Sequence, residues 1–183
     1  ETAVRQRNVF LDDDTGTLRA ARIGLRLRFY EEPAAKAGTR LVTCKRGHTL
    51  RGGVAQAQED EDTVPAAAAH AALAAADVGD LAAHSAVLAA ALRECHGPVR
   101  AYGDFVTCRE AYPMSTIAAL AHASPAEAAT VAALRAEVDC TTYAFGATAF
   151  EVEIEGRTPA QVATARTLLA RVLDTLGIAH HPT

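Results

Sequence analysis

The chain has 183 residues, enough for one domain with its own core, and half of them are hydrophobic. Alanine supplies much of that half, aromatics make up only 5% and Trp is absent, so Leu, Val, Ile and a few Phe and Tyr must fill the core. A net charge of −4 argues against a general nucleic-acid binder, although the first 51 residues are rich in Arg.

Alternation predicts a first strand over VRQRNVFLDD (4–13), closed by the polar run from Asp12 to Gly16. Residues 18–22 lead through Gly24 into GLRLRFY (24–30), where Arg26 and Arg28 take one face and Leu25, Leu27 and Phe29 the other. EEPAAKAG (31–38) reads as a turn or loop, and TRLVTCKRG as the next strand, with Leu41, Thr43 and Lys45 on one face. Gly52-Gly53 bends the chain into VAQAQEDED (54–62), another alternating stretch. Pro65 and the alanine-rich run after it predict two short helices within 65–96, broken at Asp77–Asp80. VRAYGDFVTCREAY reads as a strand, a bulge or turn at Gly103, then a strand. Ser124-Pro125-Ala126-Glu127 resembles a capping box and predicts a short helix within 115–133. LRAEVDCTTYAFG and TAFEVEIEG give two further strands joined near Gly146. Thr158-Pro159 opens a final amphipathic helix, and Gly177 ends it.

Cys44, Cys95, Cys108 and Cys140 lie far apart and form no C-x-x-C pair, which fits reduced thiols of an intracellular protein better than zinc. The seven histidines show no H-E-x-x-H spacing, and His180-His181 fall in a tail expected to fray. No signal peptide or membrane-crossing run is visible, so the expected compartment is the cytoplasm, with an organelle as the alternative. The chain begins at Glu1 rather than Met, which leaves room for a preceding segment.

Charge repeats on single strand faces carry the chemistry. Arg26 and Arg28 share one face, Lys45 lies one strand beyond, and Arg109 shares a face with Phe105 and Thr107. Glu151, Glu153 and Glu155 share a face opposite Val152 and Ile154, and Asp139 belongs to the strand before. Two readings fit. The charged faces are solvated, as outer faces ordinarily are. Alternatively the sheet is closed or nearly so, its charged faces pointing inward and its apolar faces packed on helices. Cations on some strands and carboxylates on others would then suit a polyphosphate bridged to the acids by divalent cations.

Seven stretches in order resemble the CYTH superfamily, the triphosphate tunnel metalloenzymes, and most of all the plant-type inorganic triphosphatases. They are QRNVFLDD (6–13), LRLRF (25–29), TCKRG (43–47), QEDED (58–62), GDFVTCREAY (103–112), EVDCTTYAFG (137–146) and FEVEIEG (150–156). The resemblance covers nearly the whole chain as a single domain, 1–183, with 65–96 a helical insert and 158–177 the C-terminal helix. It implies an α+β fold: an eight-stranded antiparallel tunnel-like β-barrel with helices outside. It implies hydrolysis of inorganic triphosphate or a related triphosphorylated small molecule, with Mg²⁺ or Mn²⁺ as cofactor. Position by position, Arg26, Arg28, Lys45 and Arg109 would bind phosphate, Glu151 and Glu153 would bind metal, and Asp139 would act nearby as ligand or water-orienting group.

The chain departs from the family pattern in three places. No Glu-x-Glu-x-Lys strand precedes VRQRNVF, so the barrel is expected without its first strand unless a preceding segment or a partner protein completes it. Gln56-Ala57-Gln58 stands where Arg-x-Glu is usual, leaving Asp60 as the acidic residue of that face and a further metal-ligand candidate. Cys140 stands where relatives often carry Glu. The triphosphatase reading therefore has a rival, a catalytically degenerate CYTH domain serving as a polyphosphate-binding or structural subunit. A third reading, nucleic-acid binding by the Arg-rich first quarter, is disfavoured by the acidic balance and scarce aromatics.

Overall fold

The structure is a computed structural model that describes residues 3–32, 38–51 and 54–179. Seven strands form one sheet in the order β4-β3-β2-β1-β5-β6-β7, every neighbouring pair antiparallel. They are β1 (Val4–Asp13), β2 (Gly24–Glu32), β3 (Arg40–Arg51), β4 (Val54–Thr63), β5 (Val99–Pro113), β6 (Arg135–Tyr143) and β7 (Thr148–Ile154). The helices are α1 (Thr17–Ala20), α2 (Ala66–Ala74), α3 (Ala86–Leu92), α4 (Met114–Leu120), α5 (Pro125–Val131) and α6 (Pro159–Thr175). The sheet curls into a half-barrel with the helices outside, the expected α+β architecture. It is one strand short of the expected eight among the described residues, and β4 and β7 are its two edges.

Alternation decides which face is buried. Val9, Leu11, Leu25, Leu27, Phe29, Val42 and Cys44 all point to the outer side. There they join Leu81, Leu88 and Ala91 in one core beneath α2, α3 and a 3-10 segment, Gly79–His84. A second core gathers Met114, Ala118, Val131, Leu134, Leu168 and Val172 from α4–α6 with β6 and β7. Burial of these side chains is what obliges the intervening charged residues to line the concave side.

Local signals set the element ends. The Thr158 hydroxyl accepts from Gln161 N at 3.2 Å, Pro159 fills the first turn of α6, and Gly177 closes it at φ 66°. Ser124 and Glu127 form a complete capping box on α5. Gly146, at φ 87°, makes the tight turn from β6 to β7, where Tyr143 and Ala147 hydrogen-bond. Ser85 caps α3, and Asp62 of β4 accepts from both Ser85 Oγ and Val87 N at 2.9 Å, tying strand to helix.

Three expectations are refined. The 65–96 stretch holds two α-helices separated by the 3-10 segment rather than a plain break at Asp77–Asp80. Residues 99–113 form one strand, not two. Its register against β1 shifts between Phe10 and Leu11, which leaves Tyr102 as the bulged residue beside Gly103. The 115–133 stretch holds two helices, α4 and α5. The Gly52-Gly53 bend, most of the 31–38 loop and the His180-His181 tail lie outside the described residues.

Candidate functional site

The concave face is built row by row from directly opposed residues. Arg26 on β2 faces Phe10 on β1 and Thr43 on β3. Arg28 faces Asn8 and Leu41. Lys45 and Thr43 face Glu59 and Glu61 on β4. On the other side of β1, Arg109 faces Asp139, Asp139 faces Glu151, and Glu137 faces Glu153. The sheet therefore presents a basic wall on β2 and β3 and an acidic wall on β6 and β7. Curvature brings the walls within electrical reach. Arg109 acts on Arg26, and Lys45 acts on Glu151.

The basic wall is held by local partners. Arg28, 8% exposed, donates Nε to Asn8 Oδ1 at 3.1 Å and Nη1 to the Tyr30 hydroxyl at 3.3 Å. Arg26 Nη2 and Lys45 Nζ both reach Glu59, each at 3.0 Å. Thr43 Oγ1 donates to Glu61 at 2.8 Å. Burial first, then repulsion from Arg28, lowers the Arg26 pKa below its ordinary value, although Glu59 and Glu61 oppose this. Arg26 Nε is a buried donor without an acceptor among the described residues. A buried guanidinium with an unsatisfied N–H and a like charge beside it is a place where a further anion would be stabilised.

The acidic wall is organised by one cation. Arg109 donates Nε and Nη2 to the two oxygens of Asp139 at 2.7 and 2.6 Å. It also bonds Glu137 through Nη1 and reaches Glu153 through Nη2 at 2.9 Å. Burial pulls the Arg109 pKa down, but the hydrogen bond and charge of Asp139, with the charges of Glu137 and Glu153, outweigh it and hold it above its ordinary value. Glu151 lies outside this clasp. Partial desolvation and the charges of Glu153 and Asp139 raise its pKa, against the pull of Arg109 and Lys45.

Of the candidate residues, Arg26, Arg28, Lys45, Arg109, Asp139, Glu151 and Glu153 all lie on this concave face. Asp60 does not, and its expected place is corrected. It faces Cys44, a residue of the outer core, and lines a shallow outer pocket with Arg46 and Val87. Gln56 and Gln58 share its side of β4, so the acids of the inner face are Glu59 and Glu61. With period two, a shift of one residue exchanges the whole set. Asn8 and Gln6 were also missed by sequence reasoning, whereas Thr107 was placed on the face of Arg109. All three are buried polar residues, and Gln6 and Asn8 share the parity of Phe10.

Carboxylate oxygens are the right donor class for a hard divalent cation. The donor set of Glu151, Glu153 and Asp139 fits in kind. In the present arrangement Arg109 holds two of these three, and among the described residues no three His, Cys, Asp or Glu side chains converge as a metal group.

Known structures share this architecture. A Hippeastrum protein, described as an adenylyl cyclase candidate with a dominant triphosphatase activity, matches with a TM-score of 0.75 and 25% identity over 99% of this chain and 78% of that one. A candidate adenylate cyclase from Bacillus halodurans matches at 0.65 and 21% over 99% and 79%. The chain shares the fold of CYTH-type proteins. A Pyrococcus horikoshii protein shares the CYTH-like fold at a TM-score of 0.54 and 13% identity, over 98% of this chain and 78% of that one. No family model matches the chain, and no curated protein does. Among the described residues no helix is long and apolar enough to cross a membrane.

Proposed function

We propose that this CYTH-type domain hydrolyses inorganic triphosphate or a related triphosphorylated small molecule on its concave face. The observation that carries this reading is the pair of like charges formed by buried Arg28 and half-buried Arg26, flanked by Lys45, with the buried Arg26 Nε–H unsatisfied among the described residues. Such a pair gains most when an anion with several oxygens neutralises it. The dominant triphosphatase activity of the Hippeastrum relative supports the substrate class.

In this proposal Arg26, Arg28 and Lys45 hold the phosphate chain and spread its charge. Arg109 positions Asp139, both of whose oxygens it occupies, so Asp139 acts through Arg109 rather than as a free base. Glu151, whose proton affinity is raised, is the carboxylate best suited to orient an attacking water. Glu151, with Glu153 once free of Arg109, would hold Mg²⁺ or Mn²⁺, which when bound would supply further charge neutralisation for the phosphoryl group. Phosphoryl transfer asks mostly for positioning and charge, both of which the two walls offer.

The second reading is a polyphosphate-binding or structural subunit without turnover. The triple grip of Arg109 on the acids favours it, and so do the two unpaired sheet edges, β4 and β7, among the described residues. One experiment separates the readings. Phosphate release from inorganic triphosphate is measured with Mg²⁺ for the wild type, Arg28→Ala and Glu153→Ala. Release that both substitutions abolish supports the enzyme. Binding without release supports the subunit, and release that survives both substitutions excludes the proposed site.

A further inference from the structure

The sheet builds the same cross-strand contact twice, with opposite charge balance. Arg109 on β5 stands directly opposite Asp139 on β6, and Arg28 on β2 stands directly opposite Asn8 on β1. In both pairs the guanidinium Nε donates to a short side chain on the neighbouring strand, to Asp139 Oδ1 at 2.7 Å and to Asn8 Oδ1 at 3.1 Å. Asp and Asn have the same shape and offer an oxygen in the same place. They differ by one negative charge.

That charge divides the cations of the concave face. Arg109 is answered by three carboxylates, Asp139, Glu137 and Glu153. Arg26 and Lys45 share the carboxylate of Glu59, each at 3.0 Å. Arg28 has two neutral acceptors, Asn8 Oδ1 and the Tyr30 hydroxyl. Its ion pair among the described residues is with Glu61 at 4.0 Å, and the same Glu61 oxygen accepts from Thr43 Oγ1 at 2.8 Å. Arg28 and Asn8 are both buried, so water screens their contact little. Asn8 also sits on a strand paired on both sides, opposite Arg28 on β2 and Phe105 on β5. A guanidinium keeps its charge in any such setting. Held by an amide, it is oriented without being neutralised.

We propose that Asn8 is a positioning residue that sets the affinity of the basic wall for a phosphate chain: its neutral oxygen fixes Arg28 Nε and leaves the positive charge to the ligand. The proposal rests on the triphosphate reading above and deepens it. It names what keeps this wall open to an anion, while the arginine of the acidic wall is already matched. A carboxylate at position 8 would make Arg28 a second Arg109, its charge answered within the sheet before any ligand arrives.

The test is calorimetric titration of phosphate, diphosphate and inorganic triphosphate into the wild type, Asn8→Asp, Asn8→Ser and Glu61→Gln at fixed salt. Asn8→Asp keeps the shape and the acceptor and adds one negative charge. It should lower triphosphate affinity at least about tenfold, and the loss should grow from phosphate to triphosphate. Asn8→Ser gives up the contact without adding charge, and should lose less than Asn8→Asp. Glu61→Gln, on a side chain 40% exposed, removes the nearby carboxylate and should raise triphosphate affinity several-fold. It carries the test if urea denaturation shows that Asn8→Asp does not fold. A merely structural Asn8 predicts the reverse order: Asp, the stronger acceptor for Arg28, would bind as well as the wild type, and Ser would bind worst. That order, or an affinity unchanged or lowered in Glu61→Gln, would overturn the inference while leaving the triphosphate reading intact. If triphosphate does not bind the wild type, the parent reading fails and this inference with it.

Discussion

Arg109 and Asp139 face each other across β5 and β6, and the guanidinium grips both carboxylate oxygens. The bidentate geometry fixes the orientation of both groups, and Asp139 is only 6% exposed. One guanidinium thus holds three carboxylates of the acidic wall, Glu137, Asp139 and Glu153, with Glu151 beside them.

Removing that guanidinium should cost stability. Arg109→Ala leaves a buried carboxylate among three others and should destabilise the fold by about 2–3 kcal/mol near neutral pH. Arg109→Lys should recover only part, because an ammonium cannot repeat the paired contact. Chemical denaturation of the three proteins checks this. The difference between wild type and Arg109→Ala should shrink in acid, where the carboxylates take up protons.

Glu151 gives a pH dependence of opposite origin. Its folded pKa is raised, so the folded state favours the protonated form. The stabilising contribution of that proton is complete below the unfolded value and is lost as pH rises through the folded one. Glu151→Gln should therefore raise the melting temperature above that range and leave it nearly unchanged in acid. Melting curves across pH read this directly, and a variant less stable than wild type at neutral pH would contradict it.

Much of the site is legible in the sequence, and the reason is phase. In GLRLRFY and FEVEIEG, apolar residues occupy one parity and charges the other, so burial of one set fixes where the other points. QEDED carries acids at both parities, so hydropathy sets no phase there. The register shift between Arg46 and Thr49 comes after β3 has left the core, and Cys44 opposite Asp60 decides the face. The contacts among Phe10, Phe105, Tyr143 and Phe145 were invisible for another reason. These rings come from β1, β5, β6 and the β6–β7 turn, and no single window of sequence shows them as neighbours.

The placement of Asp60 has its own test. Asp60→Asn should leave triphosphate affinity within about twofold, because its side chain is separated from the site by the sheet. Isothermal titration of this variant checks it, and a large loss would return Asp60 to the inner face.

Asp12 tests the scaffold that starts the basic wall. Its carboxylate, 1% exposed, accepts from Asp13 N, Leu18 N, Arg19 N and Arg19 Nε, and so anchors α1 to β1. Asp12→Ala strands buried N–H groups and should cost about 3 kcal/mol, read by urea denaturation.

The central claim is that the Arg26–Arg28 wall receives a phosphate chain. Its most direct test is calorimetric titration of inorganic triphosphate into the wild type and Arg28→Ala at fixed salt. The account predicts binding to the wild type and a loss of at least about tenfold on removing this buried charge. Equal affinity in the two proteins, or no binding to the wild type, would contradict it.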